Sequence, residues 1–562
     1  MYVIQPMQLR KWLGILLVSI TAGCTLLNQT EELQCSSNRD CTQRGGPFSN
    51  SICGSQGVCI ALQLNSGGEG GGSGAAGAGG ALPDSCETNQ DCIAKVGGQV
   101  LCKQSKCVSA TSPQCTRVLG SVADNPDFIL GVMSPLKGSQ ALEGTAYVNS
   151  IEVGFNEFRS RSQNGVLGLR NPLMIICDEL DAPEDAARHL NEVGARVVLG
   201  PIRTANIERT IPIFRSSSTI ALFPVHDDPS LEEITEQKEL FWGCKPNRAN
   251  IATVWTSVME QVELHIKERE PSMSSLRVAL VSAGDSSSQS LTLKLTGNTS
   301  FNGKTEEANK TDGNFFRVTY GNEQTEQIAY TALASQIAEN ETGKQPNLVI
   351  LISSAGGAQN LVPALESIWP TGAGAPERPY YLVIGDAGGI EPTILFPKAP
   401  DLSSRYLALG WNATEQTTKN MQSFRNAYQA LFSGQTPRVD SEYAYDCFWL
   451  GLYGGYAALA KEKQSFSSLN GALFSNGVGI LNSPGQPENV GILGVTNMLS
   501  ILSAGGDPDL NGASSSLDFD LNRRTPAANP QLSCISNNKL TPSGLFFDVK
   551  TGLSNGTNGC PK

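Results

Sequence analysis

The residues with the most chemical potential are few. The stretch "FPVHDDP" (223–229) puts an imidazole, His226, beside two carboxylates, Asp227 and Asp228. That set suits a metal ligand group or a general base. The chain has only 3 histidines. His189 and His265 fall in predicted helices, so no His cluster forms and no metal is expected, because metal sites need converging ligands. No Gly-x-Ser-x-Gly turn follows a strand, and no Ser/His/Asp order of a hydrolase is visible. Without such a motif, no enzyme is expected, and no cofactor. The other reactive type is cysteine. "CSSNRDC" (35–41) returns as "CETNQDC" (86–92), and each opens a set of four: Cys35, Cys41, Cys53, Cys59 and then Cys86, Cys92, Cys102, Cys107. This is an internal repeat. Units this small bury too little apolar surface to fold on it alone, so two disulfides each are expected. The pairing is open, since four cysteines allow three connectivities. Zinc fits less well, because the Cys-x-x-Cys spacing of a zinc knuckle is missing. The Asn and Asp inside the repeats suit local backbone bonds better than calcium.

The N-terminus sets the compartment that disulfides need. Arg10 and Lys11 precede the apolar run "WLGILLVSI" (12–20) and then "TAGC" (21–24). A basic flank, a short apolar core and small residues before a break describe a secretory signal. The run falls short of the ~20 apolar residues that cross a membrane. "TAGC" resembles the lipobox of bacterial lipoproteins, with Thr21 where Leu is usual. That resemblance implies lipidation at Cys24, removal of 1–23 and attachment to the membrane through the lipid, on the outer membrane given Thr25. With Cys24 lipidated, 14 of the 15 cysteines remain for pairing.

The elements that must position any site come later. "NSGGEGGGSGAAGAGGALP" (65–83) is a flexible linker by composition. From about 116 the pattern alternates strand and helix. "DFILGVMSPLKG" (127–138), "PLMIICDE" (172–179), "ARVVLGP" (195–201) and "TIALFP" (219–224) are strands; Tyr147, Ile151, Phe155 and Phe158 mark a helix face, and Asp181 with Pro183 starts another. "LRVALVS" (276–282), "NLVILIS" (347–353) and "YYLVIGD" (380–386) continue the strands, "GAQNLVPALESI" (357–368) is helical, and "SEYAYDCFWLGLYGGYAALAKE" (441–462) is a buried helix. Alternation of this kind predicts parallel α/β layers with a cleft at the carboxyl ends of the strands. The net charge of -12 and the lack of basic runs exclude nucleic-acid phosphate as a partner.

The order "ILGVMSPLKG", "IICDELDAPEDAARHL", "ARVVLGPIRT", "ALFPVHDDPSL", "FWGCKPN", then "RVALVSAGDSSSQSL", "NLVILISSAGGAQNL" and "SEYAYDCFWLGLYGGYAAL", with "SSLDFDLN" near the end, resembles the type I periplasmic binding proteins of the leucine/isoleucine/valine class over roughly 125–555. The resemblance implies an α/β fold of two Rossmann-like lobes with parallel sheets joined by a three-strand hinge, preceded by small disulfide-rich repeats. The expected layout is a signal at 1–23, a lipid anchor and first Cys-rich unit at 24–61, a linker at 62–85, a second unit at 86–115 and the binding domain at 116–562. Within it lobe I takes about 127–245 and 408–515, and lobe II about 246–407 and 516–562.

Function follows from the same resemblance: a monomeric, envelope-anchored solute binder that holds a small polar, amino-acid-like ligand for an ABC permease. The competing reading is a surface sensor or adhesion module with a degenerate cleft. The ligand loops implied are Arg203 and Thr204 in "GPIRT", Val225, His226 and Asp227 where the family has small residues and a Thr, and Asp285 and Ser286 in "GDSSSQS". Ser134, Lys137, Ser354 and Asp386 complete the candidates. Asp227 puts a negative charge where a carboxylate should bind, which costs affinity unless Arg203 or Lys137 neutralises it. Among the remaining cysteines, Cys534 with Cys560 is the expected bridge. Cys115, Cys177, Cys244 and Cys447 belong to or flank the α/β body; Cys177 and Cys447 sit in apolar runs that suit buried free thiols, while the even total favours pairing, with no partners assigned.

Overall fold

The computed structural model describes residues 51–53 and 59–61 as backbone, and 85–560 apart from 127, 163–171, 324–325, 340–342, 374, 386–399, 412–418, 461–463 and 483. The chain divides into two units, Met1–Gly80 and Ala81–Lys562. In the first, β1 (Ser51–Cys53) pairs antiparallel with β2 (Cys59–Ala61), placing Cys53 opposite Cys59. Cys24, Cys35, Cys41 and the linker 65–83 lie outside the described residues.

The second unit opens on the later Cys-rich repeat. Helix α1 (Asn89–Val96) starts at Thr88, whose hydroxyl accepts from the Asp91 N–H, while Asp91 accepts from the Thr88 N–H at 2.8 Å. This reciprocal cap is worth about 1 kcal/mol. A hairpin of β3 (Val100–Lys103) and β4 (Lys106–Ser109) follows. Cys86 bonds to Cys102 and Cys92 to Cys107, with sulfurs 2.02 and 2.05 Å apart. The expected disulfides are present here, and the pairing left open is first with third and second with fourth. The repeat is more than a spacer. Asn89 donates to Val122 O at 2.7 Å, His189 meets Ala110 O at 3.2 Å, and Leu101 and Ala110 join the core of the following lobe. The repeat thus covers apolar surface that its own 25 residues could not enclose.

Lobe I then builds a sheet from β5 (Arg117–Leu119), β6 (Ile129–Ser134), β7 (Leu173–Asp178), β8 (Val197–Leu199), β9 (Ile220–Phe223) and β10 (Phe241–Gly243), in the order β10-β9-β8-β6-β7-β5. All neighbours are parallel except β5 with β7. Helices α2 (Ala141–Ser162), α3 (Pro183–Glu192) and α4 (Thr204–Ser217) connect them. β6 and β7 are buried along their whole length, as expected of parallel strands covered on both faces. Their runs of Ile, Leu, Val and Met are the sequence cause.

Lobe II repeats the plan. Helix α5 (Ala249–Arg269) leads to β11 (Val278–Ser282), α6 (Ser286–Leu295), β12 (Phe315–Thr319), α7 (Tyr330–Ala338), β13 (Leu348–Ser353), α8 (Ala355–Ile368), β14 (Tyr380–Gly385) and β15 (Tyr406–Gly410). The chain returns to lobe I as α9 (Lys419–Leu431), α10 (Ser441–Ala460), α11 (Gly471–Ile480), β16 (Gln486–Asn489), α12 (Val495–Ser503), β17 (Pro508–Asn511), β18 (Phe519–Asp520) and β19 (Thr525–Pro526). It ends in lobe II as β20 (Gln531–Ser536), β21 (Lys539–Phe547) and β22 (Ser554–Gly556), giving the order β12-β11-β13-β14-β15-β20-β21-β22. Numbered from each lobe's first parallel strand, both sheets run 2-1-3-4-5, a doubly wound order whose ligands sit at the strand carboxyl ends. The expected fold of two parallel-sheet lobes linked three times is what the strand order shows. The later exchange points fall after Gly410, close to the expected 408, and after Pro526, beyond the expected 516. β15 is the fifth strand of lobe II, and β18–β19 stay with lobe I, where Arg524 O accepts from the Gly243 N–H at 2.9 Å.

Helix α10 is the spine of lobe I. It is apolar almost throughout and buried almost throughout. It approaches α2 closely enough that a Cβ on Gly154 would stand 2.6 Å from the Phe448 ring, so only glycine fits there. Cys244, just after β10, is bonded to Cys447 on α10, and Cys115 to Cys177. The buried cysteines are therefore paired, the alternative the even count favoured. Cys534 and Cys560 are bonded as expected.

Candidate functional site

A cavity of about 560 Å³ lies between the lobes at the carboxyl ends of their strands. Lobe I supplies Glu143 and Tyr147 from the start of α2, Arg203 and Thr204 at the start of α4, and the loop Val225–Asp228 after β9. Lobe II supplies Asp285, Ser287 and Ser288 at the start of α6, Glu323, and Ser354 before α8. Lys245 and Arg248 enter from the first passage between the lobes, beside Asp440.

Of the predicted residues, the cavity brings together Arg203, Thr204, Val225, His226, Asp227, Asp285 and Ser354. Ser134 is elsewhere: it is buried, and its hydroxyl donates to Gly144 O at 3.0 Å, fixing the turn into α2. Lys137 is exposed and pairs with Asp178 at 3.2 Å. Ser286 is the first residue of α6 and stands outside the lining, where its neighbours Ser287 and Ser288 take the place. Asp386 lies outside the described residues.

Asp227 is neutralised, though not by the expected cations. Its carboxylate stands 3.0 Å from the Arg248 guanidinium and 3.3 Å from the Lys245 ammonium, which also reaches Asp440 at 2.8 Å. The side chains of Asp227, Lys245 and Arg248 are each 10% exposed or less. Arg248 N–H also donates to Asp227 O at 2.8 Å, and Asn247 to Asp228 O at 3.0 Å. The loop after β9 is therefore tied to the first passage between the lobes. Removing one member of such a buried set costs about 3–5 kcal/mol, because a charge is stranded. His226 is buried beside the Phe223 ring, 5.9 Å between centroids. Burial holds its imidazole below the ordinary histidine range, against the pull of Asp228 and Asp227. Among the described residues, the only three potential ligand atoms close enough to share a metal ion are the sulfurs of Cys86, Cys92 and Cys107, and these are disulfide-bonded.

Helix N-termini carry free N–H groups and attract anions. Here three of them facing the cleft are occupied by the protein's own side chains. The buried Glu179 carboxylate accepts from Ile202 N–H at 2.8 Å and Arg203 N–H at 2.9 Å, ahead of α4. Asp285 accepts from Ser288 N–H at 2.9 Å on α6. Ser354 accepts from Gly357 N–H at 3.1 Å on α8, while its own N–H donates to Glu323 at 3.1 Å. Burial pushes Glu179 up to about 7, in spite of those hydrogen bonds and the nearby Arg203. Deeper in lobe I, burial pushes Glu157 up to about 7 as well, against a hydrogen bond from the Tyr445 hydroxyl at 2.6 Å.

Two charged groups in the cleft are uncommitted. The half-buried Arg203 has no ion-pair partner among the described residues, and its Nε meets no acceptor from the protein. Glu143 is exposed and has no ion-pair partner among the described residues. With Thr204 beside Arg203, the cleft offers a donor pole, and Glu143, Asp285 and Glu323 offer carboxylates for an acceptor pole. Sequence reading missed Glu179, Lys245, Arg248 and Glu323. Glu179 carried a signal, as a carboxylate directly after a buried strand. Glu323, in an irregular connection, carried none.

No protein-family model and no curated protein matches the chain. Solved structures do. The isoleucine-bound branched-chain amino acid transporter substrate-binding protein LivJ from Streptococcus pneumoniae aligns at 12% identity and TM-score 0.48, over 74% of this chain and 97% of its own. The leucine-binding protein LivK from Thermotoga maritima gives 12%, 0.49, 74% and 97%. A solute-binding protein of an R. palustris ABC transporter, in complex with benzoate, gives 13%, 0.47, 77% and 99%. Identities at this level concern the fold alone. The two-lobed α/β assignment rests on the strand order of the chain itself.

Proposed function

We propose that this chain is an extracytoplasmic solute-binding protein that takes a small zwitterionic, amino-acid-like molecule into the interlobe cleft. The observation that carries the reading is the cavity of about 560 Å³, lined from both lobes, in which one uncommitted guanidinium at a helix start meets uncommitted carboxylate. The ligand carboxylate pairs with Arg203 and Thr204, and its ammonium with Glu143 and the acids of lobe II. A charged guanidinium–carboxylate bond is among the stronger hydrogen bonds available. Because Arg203, Thr204 and Glu143 lie on lobe I and Asp285 and Glu323 on lobe II, the ligand favours whichever angle lets it touch both lobes, so binding closes the cleft.

The chain is anchored through a lipid on Cys24 and hands its ligand to an ABC permease. The signal-like residues 10–24 support the first statement. Labelling with a fatty-acid analogue tests it, and the label is lost in Cys24→Ser. For binding, ligand-stripped protein is screened by thermal shift against α-amino acids, monocarboxylates, amines and sugars. The reading expects a rise in melting temperature with amino acids. A rise with sugars alone, or with none of the four, overturns it.

A further inference from the structure

A second cavity, of about 530 Å³, opens where the chain passes between the lobes. Its walls come from both sides. Tyr443 and Ser514 belong to lobe I, Gln531 and Phe546 to lobe II, and Pro246 and Ala528 to two of the passages. The cleft chemistry uses none of them.

The lining has a definite chemical character. Gln531 is 4% exposed, and its side-chain oxygen accepts no hydrogen bond from the protein. A buried amide oxygen without a donor is costly, so an incoming donor is rewarded. The Trp411 indole N–H is committed to Ala528 O at 3.1 Å, which leaves its ring as an apolar wall. Phe546 lies opposite Gln531 in the β20–β21 register and is 38% exposed. The charged lining residues are Asp518, Asp548 and Lys550, an excess of negative charge.

We propose that this cavity is a second ligand site, for a small organic cation with an apolar or aromatic body. The ammonium donates to Gln531 Oε1 and lies in the field of Asp518 and Asp548. The body packs on Trp411 and Phe546, where aromatic faces favour a cation. An anion of the same shape meets two carboxylates and the Gln531 acceptor against the single lining cation, Lys550. Both lobes supply wall, so occupancy depends on the angle between them.

Titration calorimetry with benzylammonium, benzoate and benzyl alcohol tests the site on the purified protein. Benzylammonium is expected to bind, with benzoate about tenfold weaker or worse. Phe546→Ala, at a partly exposed position, is expected to weaken benzylammonium about fivefold or more, and Gln531→Leu to weaken it while keeping side-chain volume. Should Gln531→Leu misfold by circular dichroism, Phe546→Ala decides alone. No binding of benzylammonium, equal binding of benzoate, or full affinity in Phe546→Ala each overturns the proposal.

Discussion

The two walls of the cleft share a strand order and differ in what their polar groups do. On lobe I, Asp227, Lys245, Arg248 and Asp440 form a buried charge set that secures the passage between the lobes, and a disulfide joins the same region to α10. On lobe II, Asp285, Glu323 and Ser354 serve the starts of their own helices. The first arrangement is expensive to break and leaves Arg203 exposed to a ligand as the uncommitted cation. The second is cheap to alter and leaves carboxylate charge facing the cleft. Like folds thus support unlike roles: lobe I is a rigid seat and lobe II an adjustable cover.

Substitutions can break that contrast. The largest expected effect is Asp227→Ala, which removes a buried carboxylate from Arg248 and from Lys245, the latter keeping Asp440, and should lower unfolding free energy by about 3–5 kcal/mol, read by urea denaturation. Cys244→Ala with Cys447→Ala comes next. The bridge spans 203 residues, and its loss should cost about 2–5 kcal/mol, read the same way without reductant. A smaller effect is the pH dependence. Burial pushes Glu157 and Glu179 up to about 7, above the ordinary carboxylate value of 4.5. Their contribution is complete below the unfolded value and is lost as pH rises through 7. Stability should therefore fall between about pH 5 and pH 8 by roughly 1–3 kcal/mol per group. Glu157→Gln and Glu179→Gln should flatten that slope in thermal melts. An unchanged slope in both would show that neither carboxyl is held protonated. The smallest effect is on lobe II: Asp285→Ala removes a cap and should cost about 1 kcal/mol. A loss as large as that of Asp227→Ala would erase the contrast between the walls.

Much of this fold was legible in the chain. Runs such as "LMIIC" and "LVILI" are apolar on both faces, which only covered parallel strands require, and the helix around Phe448 is apolar on every side. The loops at Arg203, Asp227 and Asp285 were placed at the cleft by the resemblance of their segments to the binding-protein family. Charge partnership was not legible. Asp227 and Lys245 are 18 residues apart, and Asp440 lies far beyond both, so their meeting depends on the passage between lobes and not on any local period. Lys137 was one of the two cations named as able to neutralise Asp227, yet Asp178 captures it at the strand end. The docking of the second Cys-rich repeat was hidden for a similar reason, since Asn89 reaches Val122 by tertiary contact alone.

Isothermal titration of an α-amino acid identified by the thermal screen, into wild-type protein and Arg203→Gln, tests the central claim most directly. The account predicts one site per chain in the wild type and an affinity at least about tenfold weaker in the variant, as expected for loss of a charged hydrogen bond to carboxylate. Equal affinity in the two proteins, with both folded, would contradict it.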